Sequence, residues 1–376
     1  MIAVDELKRR LEHSPAFVLD MSQVHANLRP LHHIRQASGC RILYSMKALP
    51  LAALLSDLSD KLDGFSVSSL FEARLASAVS GGRGSLHVTT PGLRADEFAE
   101  LSALCSHIGF NSLSQYQRLH SSTDRYSAGL RVNPKLSFAD DRRYDPCGPH
   151  SKLGVDVGLL GQALPEGIEG LHLHTVFGRT DFQPLQAVIS KLKPFLSRQT
   201  GLKWLNLGGG YLYHRIADLT PVIEAVRYLQ THVAEQVYLE PGKALVGNAG
   251  YLLTSVLDRF DSDGETVLVL DSSVNHHPEI FEYQRRPQLL DEDPQGGHSA
   301  ILAGSTCLAG DVFGRYRFAK IPTVGDRLLF ADVGAYSLIK AQRFNGYALP
   351  AVYVCRGDRY EAIKRDGYAD YARQWA

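Results

Sequence analysis

Cysteine is scarce and unpaired in this sequence: Cys40, Cys105, Cys147, Cys307 and Cys355 make five, an odd number, and no two stand in a Cys-x-x-Cys spacing. That excludes a disulfide framework and offers no zinc-ribbon pattern, so a cysteine with a special role has it alone. Neither sign of charge prevails, since 40 Lys plus Arg stand against 40 Asp plus Glu. A nucleic acid partner would find no basic excess to bind. No apolar run approaches the roughly 18 residues that a membrane helix needs, and the opening MIAVDELKRRLEHS puts charges where a signal peptide is apolar. The expected setting is the cytoplasm, with no membrane partner. Repeats of solenoid period and low-complexity segments are also missing. What remains is a chain of 376 residues, 44% hydrophobic and 21% charged, which is ordinary soluble globular composition and long enough for a barrel plus a second domain.

Short apolar, β-branched runs alternate with amphipathic stretches from residue 22 to residue 245. Eight of them predict strands: CRILYSMK to Lys47, DGFSVS to Ser68, SLHVTT to Thr90, SHIGFNS to Ser112, AGLRVNP to Pro134, EGLHLHT to Thr175, KWLNLGGG to Gly210 and QVYLEPG to Gly242. Eight strands with helices between them predict an α/β fold built on a (β/α)8 TIM barrel. After Gly250 the runs are extended and separated by Gly, Asp and Pro turns, which predicts a mainly antiparallel β domain over 246–376. Residues 1–21, whose FVLD reads as an isolated strand, are expected to join that domain.

In such a barrel the C-terminal strand ends converge on one mouth, where polar residues are candidates for chemistry. Lys47, Ser68, Asn111, Arg131, Asn133, His174, the glycines Gly208, Gly209 and Gly210, and Glu240 all stand there. A lysine directly after ILYSM is led inward, and a desolvated amine is nucleophilic when neutral, which suits Schiff-base formation. The triple glycine lets backbone approach an anion, with phosphate the natural one, although such strand ends also serve plain tight turns. Glu240 could equally cap a helix; its pairing with Lys47 argues for a site. His172 and His174 share a strand face as metal ligands would, but the other strand ends carry Lys, Ser, Asn, Arg and Gly in place of further ligands, so no metal is expected.

The ordered set YSMK, GLHLHT, LNLGGG, LEPG, GSTCLAGD, VGAY and FNG resembles the fold-type III pyridoxal-phosphate-dependent decarboxylases, the group of ornithine, diaminopimelate and carboxynorspermidine decarboxylases. FNS, YDPC with SKLG, HPEIFEYQRRP and above all CLAGD resemble the carboxynorspermidine branch most. The resemblance implies an alanine-racemase-like barrel and release of carbon dioxide from the α-carbon of a carboxylated polyamine. It implies that Lys47 holds pyridoxal 5'-phosphate, His174 stacks on its ring, and Gly208, Gly209, Gly210 and Tyr336 take the phosphate. Glu240 would face the pyridine nitrogen, and Arg131 would brace the site's carboxylates. Cys307 is the implied proton donor and Asp311 the implied reader of a distal amine, both reaching into a neighbouring subunit of a homodimer with shared sites. Glu279 and Glu282 fall on the substrate side. Arg179 and Lys243 stand where the family carries carboxylates, which leaves a less basic precursor as the alternative substrate. A racemase of this fold would need Arg in place of Glu240, and a single-barrel cofactor carrier would lack the second domain.

Overall fold

The eight apolar runs fold as strands Arg41–Ser45, Gly64–Val67, Ser85–Thr90, His107–Phe110, Ser127–Asn133, Gly170–His172, Leu202–Asn206 and Ala234–Leu239 in the computed structural model, which describes residues 4–121, 125–139, 141–161, 163–199 and 201–376. All eight pair in parallel, and Ala234–Leu239 returns to Arg41–Ser45 so that the ring closes. The strands are buried along most of their length, as helix-covered parallel strands are, which explains their unbroken apolar character. Serines at strand ends start helices: Ser69 Oγ accepts from Glu72 N and Ser112 Oγ from Gln115 N. The expected (β/α)8 barrel is therefore present.

The chain divides into two compact units, residues 27–244, and residues up to 26 together with 245–376. Residues 1–3 of the expected second domain lie outside the described residues. In the second unit Ala16–Asp20 pairs with both Gly250–Ser262 and Ala351–Arg356, so the isolated early strand is held on both edges. The sheet runs in the order Val312–Phe318, His298–Ala303, Glu265–Leu270, Gly250–Ser262, Ala16–Asp20, Ala351–Arg356, Arg359–Lys364, and Arg327–Phe330 also pairs with Gly250–Ser262. Five of its pairings are antiparallel and two parallel, so the domain is mainly antiparallel. Its core gathers Phe17, Leu268, Phe313, Tyr316 and Phe330, with the rings of Phe313 and Phe330 stacked at 4.8 Å. Among the described residues no helix is long and apolar enough to cross a membrane.

The N-terminal end of the barrel is closed by Trp204. A Cβ at Gly170 would stand 2.0 Å from its indole and one at Gly129 2.4 Å, so both positions must be glycine for the ring to lie there. Trp204 Nε1 donates to Ser127 Oγ at 2.8 Å. Around it the rings of His87 and His107 stack at 3.8 Å, against Tyr238. Burial lowers both imidazoles: His87 well below its ordinary value, aided by His107, and His107 to about 4. They are neutral when folded and gain protons on unfolding at acid pH. This contribution is full above pH 6.5, their ordinary value, and is lost as pH falls toward 4. Urea midpoints should therefore drop steadily between these limits, and His107→Asn should flatten the slope by about one proton. An unchanged slope would refute the assignment.

Candidate functional site

Lys47 lies two residues past the first barrel strand, in the short turn Met46–Ala48, and Glu240 directly follows the last, with the seam between them tied by Ser45 N donating to Pro241 O at 3.0 Å. The lysine and the carboxylate thus come from adjacent strand ends at the C-terminal mouth. The Lys47 side chain is exposed by surface area yet walled by the barrel, as a group in a concave mouth is. Desolvation lowers its pKa, Arg131 lowers it further, and Glu240 and Glu72 oppose them. The amine is thereby brought nearer to its nucleophilic form.

Glu240 is buried and doubly held: Asn206 Nδ2 donates to Oε1 at 2.7 Å and His172 Nε2 lies 3.1 Å from Oε2. Burial alone would raise its pKa, but His172, Lys47 and His174 outweigh it and hold the carboxyl below its ordinary value. His172 is lowered by burial and its Nδ1 has no hydrogen-bond partner, so the neutral ring donates from Nε2.

The same network orients the glycine turn. Asn206 Oδ1 accepts from Gly208 N at 2.8 Å, and Gly209 N donates to His174 Nδ1 at 3.1 Å. Two of the three amides expected to meet an anion are therefore engaged within the chain, and among the described residues Gly210 N has no protein acceptor. A Cβ at Gly208 would meet Leu173 O at 2.3 Å, and one at Gly209 would meet Glu240 O at 2.2 Å, so the turn presses directly on its neighbours. His174, lowered first by burial and then by Lys47 and Arg131, is neutral and carries its proton on Nε2. Its ring lies parallel to that of His172 within 10°, with centroids 6.4 Å apart.

Arg131 is buried near Glu240 and Cys147, and burial pushes the Cys147 thiol up to about 12. Asn111 and Asn133, strand-end candidates by position, are loop clamps: Asn111 holds Lys152 O and Gly154 N, and Asn133 holds Leu153 O and Lys135 N. Arg179 pairs with Asp181 at 3.1 Å and bridges to Tyr211 through its backbone. Lys243 Nζ lies 5.6 Å from the centre of the Phe177 ring, which stacks on Tyr144.

The second unit holds the other expected residues. Cys307 is exposed, whereas the other four cysteines are buried. Its loop is fastened at three points: Cys307 N donates to Asn345 Oδ1 at 2.8 Å, Tyr347 Oη donates to Ser305 O at 2.7 Å, and Asp311 accepts from Val274 N, Thr306 N and Thr306 Oγ1. Asp311 Oδ2 thus holds Thr306 of its own loop, and Oδ1 ties that loop to the segment starting at Val274. Glu279 is buried and raises the Tyr336 phenol, which burial, the larger cause, helps lift to about 12. Glu282 pairs with Lys340 at 2.5 Å.

Three contributors escaped the sequence. Asn206 signalled itself only as a polar strand end two residues before the glycines. His172 enters the sequence reading only as half of a metal pair that is set aside, yet its ring serves Glu240, as that of His174 serves Gly209. Glu72 reads as a helix-start residue after Ser69, yet its carboxylate accepts from Ser68 N at 2.7 Å, and desolvation raises it against the pull of Lys47.

A family model described as pyridoxal-dependent decarboxylase, C-terminal sheet domain, matches residues 16–334. A carboxyaminopropylagmatine decarboxylase of Synechocystis sp. is 35% identical, covering 95% of this chain and 94% of that protein. A carboxynorspermidine/carboxyspermidine decarboxylase of Campylobacter jejuni is 30% identical, covering 96% and 97%. The crystal structure of carboxynorspermidine decarboxylase complexed with norspermidine, from Campylobacter jejuni, superposes with a TM-score of 0.87 at 28% identity over 96% of this chain and 100% of that one.

Replacing Asn206 by Leu removes a donor to a buried carboxylate and the acceptor for Gly208 N at once. Denaturant unfolding at neutral pH should show a loss of about 2 kcal/mol. A loss below about 0.5 kcal/mol would mean that the network does not hold Glu240.

Proposed function

Because this chain belongs to the family of pyridoxal-dependent decarboxylases, we propose that it removes the α-carboxylate of a carboxylated polyamine, with pyridoxal 5'-phosphate held on Lys47. The observation that carries the reading is the ionised, doubly held Glu240 beside a lysine of lowered pKa. The residues fit the cofactor. An amine stands at the mouth to bind its aldehyde, a carboxylate to face its ring nitrogen, and a side-chain-free glycine turn with the Gly210 amide to receive its phosphate. When bound, the cofactor accepts the electron pair released as carbon dioxide leaves.

The chain's own residues then have separate tasks. Glu240 keeps a proton on the nitrogen facing it, and His172 and Asn206 keep Glu240 ionised and in place. His174 offers a neutral ring whose plane is set by Gly209. Arg131 balances the negative charge of the mouth, and Tyr336 adds a phenol to the phosphate. Cys307, the exposed thiol on a fastened loop, delivers the proton that replaces carbon dioxide, and Asp311, buried with both oxygens engaged by Val274 and Thr306, holds that loop in place of reading a substrate amine. Glu279 and Glu282 add negative charge toward the polycation.

The carboxylated polyamine is favoured because relatives matched over nearly their whole length are named for such substrates. Asp181 answers the charge of Arg179, which weakens the case for a less basic precursor. A homodimer in which each Cys307 loop serves the partner's barrel accounts for the exposed apolar side chains around that loop, Phe281, Leu308 and Phe344.

Borohydride reduction followed by digestion and mass spectrometry is expected to find the cofactor on Lys47; a label on Lys340 or Lys152 would overturn the assignment. Carbon dioxide release is expected from carboxynorspermidine, carboxyspermidine or carboxyaminopropylagmatine, and release only from a carboxylate-rich precursor would reverse the substrate reading. Co-assembly of Lys47→Ala and Cys307→Ala subunits is expected to restore about a quarter of wild-type activity, because half of a statistical mixture is heterodimer with one intact site of two. No recovery would mean that each site is built within one chain.

A further inference from the structure

Lys340 occupies an unusual position in the second unit. Its Nζ lies 2.5 Å from Glu282 Oε2, 5.9 Å from the centre of the Tyr283 ring and 5.7 Å from that of Tyr336. One carboxylate and two aromatic rings around a single ammonium make a recognition site for that group. An ordinary surface ion pair is worth little because both side chains are loose. Here the two carrying segments are tied together. Ser337 Oγ lies 2.9 Å from His277 Nδ1, Gln342 N donates to Asn275 O, and Leu338 and Ala341 pack on the domain core. Tyr336 also holds a left-handed backbone at φ 59°, a conformation that costs about 1 kcal/mol or more for a bulky residue. The walls are thus rigid, while the occupant is a flexible four-carbon stem. The side chains of Lys340 and Glu282 remain 36% and 40% exposed, so solvent and solutes reach the pair.

We propose that Glu282, Tyr283 and Tyr336 form an ammonium subsite that the chain's own Lys340 occupies until an ammonium group of a polyamine displaces it. The proposal rests on the carboxylated-polyamine reading above. The two cations carry the same head group, so one replaces the other without a change in local charge. The ring face of Tyr336 is a different surface from the phenol oxygen assigned to phosphate. A tethered competitor lowers apparent affinity for substrate and product alike, by the fraction of time it fills the site. Product polyamine would therefore leave faster than the bare subsite allows.

The test is calorimetric titration of the holoenzyme with norspermidine and spermidine. Lys340→Met should bind at least one of them about tenfold more tightly than wild type, or about 1.4 kcal/mol. Lys340→Gln serves if the methionine variant does not fold. Lys340→Arg, which keeps a cation, should stay near wild type, and Glu282→Gln in the Lys340→Met background should abolish the gain. Affinity unchanged or weakened in both neutral variants, or a gain that survives Glu282→Gln, overturns the subsite. The substrate reading fails separately: if wild type neither binds these polyamines nor decarboxylates their carboxylated forms, that reading falls and the subsite with it. Turnover of a carboxylated polyamine with unaltered affinity in the variants sinks the subsite alone.

Discussion

A buried negative charge needs partners, and the mouth of this barrel is arranged around meeting that need for Glu240. Asn206 and His172 donate to its two oxygens, and Lys47 and Arg131 supply the nearby positive charge. Because Asn206 also accepts from Gly208 N, the carboxylate and the glycine turn are parts of one hydrogen-bonded unit. The turn in turn fixes His174 through Gly209 N. Residues from four separate strands are thus coordinated by satisfying a single carboxylate, and the neutral state of both histidines follows from their burial beside cations.

The two ends of the barrel use the same side-chain types for opposite purposes. Below the mouth, Trp204, His87, His107 and Tyr238 pack together, and the histidines there are lowered by burial and stacked on one another. At the strand ends, imidazoles meet a carboxylate and a backbone amide instead of an aromatic plug. The first arrangement seals; the second leaves an open, polarised mouth where Lys47 is reachable. This division matches the separation of stability from chemistry that parallel barrels allow.

The second unit relies on loops whose backbone groups are clamped by side chains. Asp311, Asn345 and Tyr347 fasten the segment that presents Cys307, so the single exposed cysteine sits on a defined turn. Ser337 and His277 join the segments bearing Tyr336 and Glu282 in the same way. Val274, Ile280, Leu338 and Ala341 anchor these segments on the apolar core, whereas Phe281, Leu308 and Phe344 are left exposed around them.

The sequence by itself determined the barrel, since eight buried parallel strands write unbroken apolar runs and their C-terminal ends name Lys47, His174, the glycines and Glu240. It also singled out Cys307, by motif and not by count. Periodicity says nothing about which polar group pairs with which, because hydrogen bonds between strands 30 to 70 residues apart leave no local trace. Hence Asn206 and Glu72 pass unnoticed, and His172 is considered only as a metal ligand and set aside. Asn111 and Asn133 shared the favoured strand-end position, yet the loops they clamp become visible only when the chain folds back on them. The same holds for Lys340, whose meaning depends on Glu282 and two tyrosine rings that only the tertiary structure brings to its amine.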